Sequence, residues 1–203
     1  MAFPDYFSRI PAITLRDPLA EVLGAAEGGL IEYRFADAVR LAGHACPTVA
    51  GAWLIGTGGL QALYGEETPV RGNIRVDFGE AQESGVSGVI GSVLTLLTGA
   101  AGSGGFAGLG GQHRRRGLLH FGVSGVAQVR LTRLDNHRQV ACRVSLGAAP
   151  ADPQTGELLG QILAGVADPA QARLFASLWQ ARVEQILLDP AIRPQLLEIS
   201  PLN

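Results

Sequence analysis

Two long stretches of this chain contain no charged side chain, residues 45–65 and residues 84–112. Each is long enough to cross a bilayer as a helix. Glycine, serine and threonine dilute both stretches, and the second ends in a run of glycines that makes a poor spanning helix. We therefore interpret them as buried helices with loops. Recovery of the protein without detergent distinguishes this interpretation from a transmembrane one.

The amino-acid composition excludes several classes of function. The chain has 203 residues, of which 47% are hydrophobic and 17% charged, so it can bury a sizeable core. All 16 of its cationic side chains are arginine, and without lysine it has no Schiff-base chemistry, pyridoxal-phosphate anchor or P-loop. A net charge of −2 indicates neither a nucleic-acid nor a membrane partner. The first ten residues lack the apolar segment of a secretory signal, so we expect a cytoplasmic protein.

Hydrophobic periodicity predicts an α+β fold. Helical spacing predicts helices over residues 33–43, 47–64 (with a break near Gly58), 86–98 and 174–187. Alternation predicts strands over residues 72–78 and 118–121, and a hairpin of 126–134 with 139–146. Residues 102–111, in which six of ten are glycine, predict a mobile loop. We expect a small, mostly antiparallel sheet packed against the glycine-rich helix over residues 1–147, with a helical extension over residues 148–203.

The segment Gly43-His44-Ala45-Cys46-Pro47 carries the most chemical information. Pro47 suits a first helical position, which places Cys46 at the helix cap. The N–H groups of a helix start favour an anion, and a thiolate is such an anion. His44 can turn onto the same side, and the resulting nitrogen and sulfur donors suit zinc first, then nickel or iron. The same spacing also suits a buried cysteine beside a helix-capping histidine.

Residues 37–47 and the glycine-spaced helix after them resemble the formylmethanofuran dehydrogenase E-subunit family, which carries a G-H-x-C-P signature between two helices. The resemblance covers roughly residues 33–125. It implies an α+β domain with a zinc-like metal held partly by His44 and Cys46. It also implies a metal-dependent enzyme or an accessory protein of one-carbon or redox metabolism.

The chain departs from that family at several positions. Ala42 stands where the family usually has a second histidine. Residues 83–85 and Ala100 stand where relatives often have cysteines. No cysteine follows Cys142, so the family's C-terminal Cys-x-x-Cys zinc ribbon is missing. The ligand set must therefore differ from that of the family.

Two further residues are candidates for the remaining metal ligands. His113 is the first, because it follows the glycine-rich loop and a closing loop would deliver it over the helix start. Glu83 is the second, because it lies near the position of a cysteine in relatives. The alternative for His113 is a solvated loop imidazole, and those for Glu83 are a surface carboxylate or a partner that caps the helix at Val86. His120 is a weaker ligand candidate, His137 fits a solvated turn, and Cys142 fits a core thiol.

Arg114, Arg115 and Arg116 form a cationic run beside the glycine-rich loop. Such a run is usually a solvated face or a set of ion-pair donors. Next to a metal it can also hold the carboxylate or phosphate of a small anionic ligand. Arg71 is a weaker candidate for the same role.

Three functions follow from these observations. The first is a metal-binding protein that takes a small anionic ligand at an open metal position under the glycine-rich loop. The second is a metal-free thiol enzyme in which Cys46 is the nucleophile and His44 or His113 its base. The third is a non-catalytic binding module, in which the apolar face over residues 174–187 is either part of the core or the surface through which two chains dimerise. A homodimer is compatible with each of them.

Overall fold

The computed structural model describes residues 3–202. Its helices are α1 (Pro18–Val22), α2 (Phe35–Ala42), α3 (Pro47–Tyr64), α4 (Ser87–Thr98), α5 (Gln154–Leu163), α6 (Pro169–Leu188) and α7 (Arg193–Leu196). Its strands are β1 (Ile13–Arg16), β2 (Leu30–Tyr33), β3 (Ile74–Phe78), β4 (Leu119–His120), β5 (Val129–Arg133), β6 (Gln139–Val144) and β7 (Leu197–Leu202). The predicted break near Gly58 is absent, because α3 continues through it.

Five strands form one sheet in the order β4-β3-β5-β6-β7. All neighbours pair antiparallel except β3 and β4, which are parallel. Strands β1 and β2 form a separate antiparallel pair. Helix α3 packs against β5, β6 and β7, and α4 packs beside it. The predicted α+β fold, a mostly antiparallel sheet against the glycine-rich helix, is confirmed.

Glycines allow α3 to lie against its neighbours at short range. A Cβ added to Gly56 would lie 2.4 Å from Leu97 on α4. One added to Gly59 would lie 2.5 Å from Leu131 on β5. Both distances are far below van der Waals contact, so a side chain at either position would push the layers apart. The glycines at these positions allow this charge-free helix to lie at the centre of the core.

Helices α3 and α4 run parallel. At their carboxyl ends, the Asn73 side chain donates to the hydroxyl of Tyr64 over 3.5 Å, and the amide of neighbouring Gly72 donates to the carbonyl of Thr98 over 2.7 Å. At their amino ends, Val144 lies against Gly51 of α3 and lines a cavity together with Ser87 of α4. The segments that precede the two helices therefore meet at one end of the molecule.

The chain after residue 148 contributes a strand as well as helices. Helix α6 packs on α3 and is capped by Asp168, whose carboxylate accepts from the amides of Ala170 and Gln171. Strand β7 then pairs along the whole of β6, from Gln139 opposite Leu202 to Val144 opposite Leu197. The sequence predicted only helices here. The division at residues 147 and 148 stays a prediction.

Among residues 3–202, no helix combines the length and the apolar character that a bilayer crossing requires.

Candidate metal centre at the start of the central helix

Cys46 caps the amino end of α3. Its backbone is extended (φ −143°, ψ 167°) and Pro47 begins the helix with no amide hydrogen to satisfy. The Sγ atom accepts a hydrogen bond from the amide of Val49 at 3.5 Å. Only 8% of the residue is exposed. The sulfur therefore sits where helix amides stabilise negative charge, as the sequence predicted.

His44 is held in one orientation by the end of the preceding helix. Gly43 ends α2 in the left-handed region at φ 78°, and the chain turns there. The imidazole is exposed, and its Nδ1 lies 2.9 Å from the carbonyl oxygen of Ala42. Because a carbonyl only accepts, Nδ1 carries the proton. In the neutral ring Nε2 then has a free lone pair, the arrangement usual for histidines that bind metals.

The residue between the two donors is fixed by a distant helix. The carbonyl oxygen of Ala45 accepts from the indole nitrogen of Trp179 at 3.0 Å and from the amide of Gln180 at 3.4 Å. Both donors lie on α6, so the long C-terminal helix holds the His44–Cys46 segment against the core. Sequence reasoning gave Trp179 only a core or dimer role, because nothing local in the sequence links it to Ala45.

The two further ligand candidates, Glu83 and His113, lie on the segments before and after α4. Glu83 is exposed in the turn before α4, at the end where α3 also begins. His113 lies on the loop after α4, and the base of that loop is tied by hydrogen bonds between Ala101 and Arg115. That base is at the far end of the parallel helices, separated by the length of α4, roughly 18 Å. His113 as a metal ligand stays a prediction.

No group of three His, Cys, Asp or Glu side chains within residues 3–202 is arranged to hold a metal ion. His44 and Cys46 as a pair of metal ligands therefore stay a prediction. The remaining positions on an ion would fall to solvent, to a ligand or to another chain.

The arginine run does not act as one surface. Arg115 is buried, and its Nη2 donates to Oδ1 of Asp17 at 2.5 Å, while Arg71 pairs with the other oxygen of that carboxylate. Burial alone would raise the pKa of Asp17, but Arg115 and Arg71 outweigh it and hold the pKa below its usual value. Arg115 thus has an internal partner, and Arg114 and Arg116 are the exposed members of the run.

His120, His137 and Cys142 have structural surroundings of their own. The Nδ1 atom of His120 lies 3.1 Å from Asp77, whose carboxylate also accepts from Arg130. His137 is exposed in the hairpin turn at φ 60°. Cys142 is 1% exposed beneath α3, and burial raises the pKa of its thiol to about 12. That placement agrees with the interpretation of Cys142 as a core thiol.

Comparison of the sequence with protein-family models and with curated proteins finds no match. The resemblance to the formylmethanofuran dehydrogenase E-subunit family therefore stays a prediction that depends on the segment around His44 and Cys46.

Proposed function

We propose that this chain is a metal-binding protein similar to the formylmethanofuran dehydrogenase E-subunit family. Nε2 of His44 and Sγ of Cys46 hold a zinc-like divalent ion, with nickel or iron as alternatives. One observation carries the proposal: the hydrogen bond from Nδ1 of His44 to the carbonyl of Ala42 leaves Nε2 as the free donor, two residues before a capped cysteine. A nitrogen and a sulfur donor together favour a borderline-soft metal.

A small anionic ligand completes the proposed site. With two protein donors, the ion keeps open positions, and when bound it supplies Lewis acidity toward an anionic oxygen. A cavity of about 400 Å³ lies at the end where α3 and α4 begin, and Arg143, Ser84 and Ser87 line it together with Glu80. This cavity is a second candidate place for the anionic ligand, beside the open metal position under the glycine-rich loop.

Metal analysis tests the proposal. Protein purified without added metal should contain a transition metal in stoichiometric amount. His44→Ala and Cys46→Ser should each lose it, because each removes one of two donors. Cys142→Ala and His137→Asn are matched controls that remove a cysteine and a histidine elsewhere, and both should retain the metal.

A wild-type protein that neither contains metal nor binds added zinc, nickel or iron would overturn the proposal. So would His44→Ala and Cys46→Ser variants that retain wild-type metal content. The metal-free thiol enzyme makes a different prediction, namely rapid alkylation of Cys46 that neither chelators nor zinc affect. Protection of Cys46 from alkylation by zinc supports the metal site.

The proposal includes a homodimer in the cytoplasm. Leu41 on α2 is 51% exposed and Val89 on the charge-free helix α4 is 39% exposed. Leu41 also shares a cavity with Gly88 and Ser92, so the two helices lie side by side on this face. A second copy seated there would lie near His44. The two free cysteines, Cys46 and Cys142, fit a reducing compartment. Light scattering of wild-type protein and Leu41→Glu tests the dimer: only the wild type should have the mass of two chains.

A further inference from the structure

A second cavity lies on another face of α3. It has a volume of about 210 Å³ and lies between residues 10–13, the middle of α3 and the segment that joins α6 to α7. Its apolar wall is formed mainly by Ile10, Ile13, Trp53, Leu54 and Leu187. Three of these, Trp53, Leu54 and Leu187, are at most 3% exposed. The wall is therefore part of the hydrophobic core and not a shallow surface depression.

One guanidinium group opens onto this apolar wall without a counter-charge. Arg193 lines the cavity and donates through Nη2 to the carbonyl of Leu187 at 2.9 Å. Burial lowers the pKa of Arg193, and no carboxylate among the described residues opposes that shift. This differs from Arg115 and Arg133, whose guanidinium groups pair with carboxylates. A partly desolvated guanidinium without an acidic partner favours an anion from outside the chain.

The polar side chains of α3 that line the cavity have hydrogen-bond partners inside the chain. The ring of Trp53 lines the cavity and is almost fully buried. The hydroxyl of Thr57 already donates to the carbonyl of Trp53 at 2.9 Å, and the amide of Gln61 donates to the carbonyl of Gly65 at 2.8 Å. Arg193 is therefore the polar group that the cavity offers to a ligand, and an apolar pocket with a small number of polar groups is the usual form of a small-molecule site.

We propose that this cavity binds a small monocarboxylic acid with an apolar tail. The guanidinium of Arg193 takes the carboxylate, and the wall around Trp53 and Leu54 takes the apolar tail. A planar guanidinium matches the two oxygens of a carboxylate, and the apolar wall rejects a hydrated inorganic anion. The site uses neither His44 nor Cys46, so the tests of this proposal do not depend on metal binding.

Nuclear magnetic resonance of the two tryptophan indoles tests the proposal directly. Benzoate should shift the indole N–H signal of Trp53 in a saturable manner, and Trp179→Phe assigns the two signals. Benzamide has the same ring without the charge. It should bind about 10- to 100-fold more weakly than benzoate, the range given by hydrogen bonds to charged groups.

Two variants of the full-length protein separate the charge from the cavity. Arg193→Gln should reduce benzoate binding to the benzamide level, whereas Arg173→Gln, at an exposed arginine of α6, should not change it. Ala12→Phe narrows the cavity at an exposed position and leaves the guanidinium in place, so it should weaken both ligands. Equal affinity for benzoate and benzamide would overturn the proposal. So would a Trp53 signal that benzoate does not move, or unchanged benzoate binding in Arg193→Gln.

Discussion

The smallest determinant of the candidate metal centre is a single carbonyl group. Ala45 separates the imidazole of His44 from the sulfur of Cys46, and its oxygen accepts from Trp179 and Gln180. Rotation of this peptide would move both donors at once. The indole hydrogen bond therefore restricts the backbone between the two proposed ligands, and outer contacts of this kind tune metal affinity.

Trp179→Phe should weaken metal binding without removing a ligand. The phenyl ring preserves most of the apolar packing but cannot donate to Ala45. We expect about tenfold lower metal affinity, as for other losses of an outer hydrogen bond. A competition titration against a coloured chelator measures the affinity.

Phe175→Leu is the control for that experiment. Phe175 lies beside Trp179 with ring centroids 5.5 Å apart, and its replacement changes packing without removing a hydrogen bond. Phe175→Leu should bind metal with wild-type affinity, about tenfold more tightly than Trp179→Phe. Equal affinity in Trp179→Phe and wild type would show that the indole does not position the donors.

At the scale of elements, the fold depends on how closely α3 approaches its neighbours. Glycine weakens a helix by about 1 kcal/mol relative to alanine. Helix α3 nevertheless contains glycines that face three neighbouring elements. Gly56 lies against Leu97 of α4, Gly59 against Leu131 of β5 and Gly58 against Ile199 of β7. The loss in helix propensity is offset by close packing of a helix on a sheet without an intervening layer of side chains.

Gly59→Ala should therefore destabilise the protein despite the better helix propensity of alanine. The added Cβ would lie 2.5 Å from Leu131 and 3.0 Å from the sulfur of Cys142. We expect a loss of about 1–3 kcal/mol in the free energy of unfolding, as for other overpacked cores. Urea denaturation measures it.

Gly160→Ala is the matched control on α5. A Cβ at Gly160 meets no atom within 4 Å. Only helix propensity changes there, so this variant should gain up to about 1 kcal/mol in stability. Opposite signs for the two substitutions support the packing argument, and a stabilised Gly59→Ala would contradict it.

At the scale of the whole molecule, one buried carboxylate joins three distant parts of the chain. Asp17 caps α1 through the amide of Leu19, pairs with Arg71 before β3, and pairs with Arg115, which lies 98 positions away. The two guanidinium groups tie the amino-terminal sheet and the glycine-rich loop to the carboxyl end of α4. Removing one partner from such a buried set leaves uncompensated charge, at a loss of several kcal/mol.

Asp17 should make the protein sensitive to acid. Its pKa is lower in the folded state than in the unfolded state, so its contribution to stability is fully present above the unfolded value of about 3.9. The contribution is lost as pH falls through the folded pKa, because the unfolded state then binds more protons. Asp17→Asn should be less stable by about 3–5 kcal/mol at neutral pH.

Urea denaturation across the acidic range provides the test. Stability of the wild type should fall more steeply below the unfolded pKa than that of Asp17→Asn. Asp5→Asn removes an exposed carboxylate and should follow the wild type. Parallel curves for wild type and Asp17→Asn would show that this carboxylate does not control acid unfolding.

The sequence predicted features that depend on neighbours along the chain. The length of α3, the stripe of α4 and the β5–β6 hairpin all follow from local periodicity, and each is present. Strand β7 was missed, because it is six residues long, contains Pro201 and pairs with a strand far behind it. The parallel direction of α3 and α4 was not predictable either, since it depends on contacts at Tyr64 and Thr98 that no spacing encodes.

The position of β7 also sets an order of events during synthesis. Strand β6 leaves the ribosome about fifty residues before its partner. At a translation rate of about 5–20 residues per second, its outer edge stays unpaired for roughly 3–10 s. An unpaired edge is a template for aggregation, so the nascent protein should depend on chaperones most strongly in this interval. Synonymous codons that slow translation between residues 145 and 196 should lower the yield of folded protein.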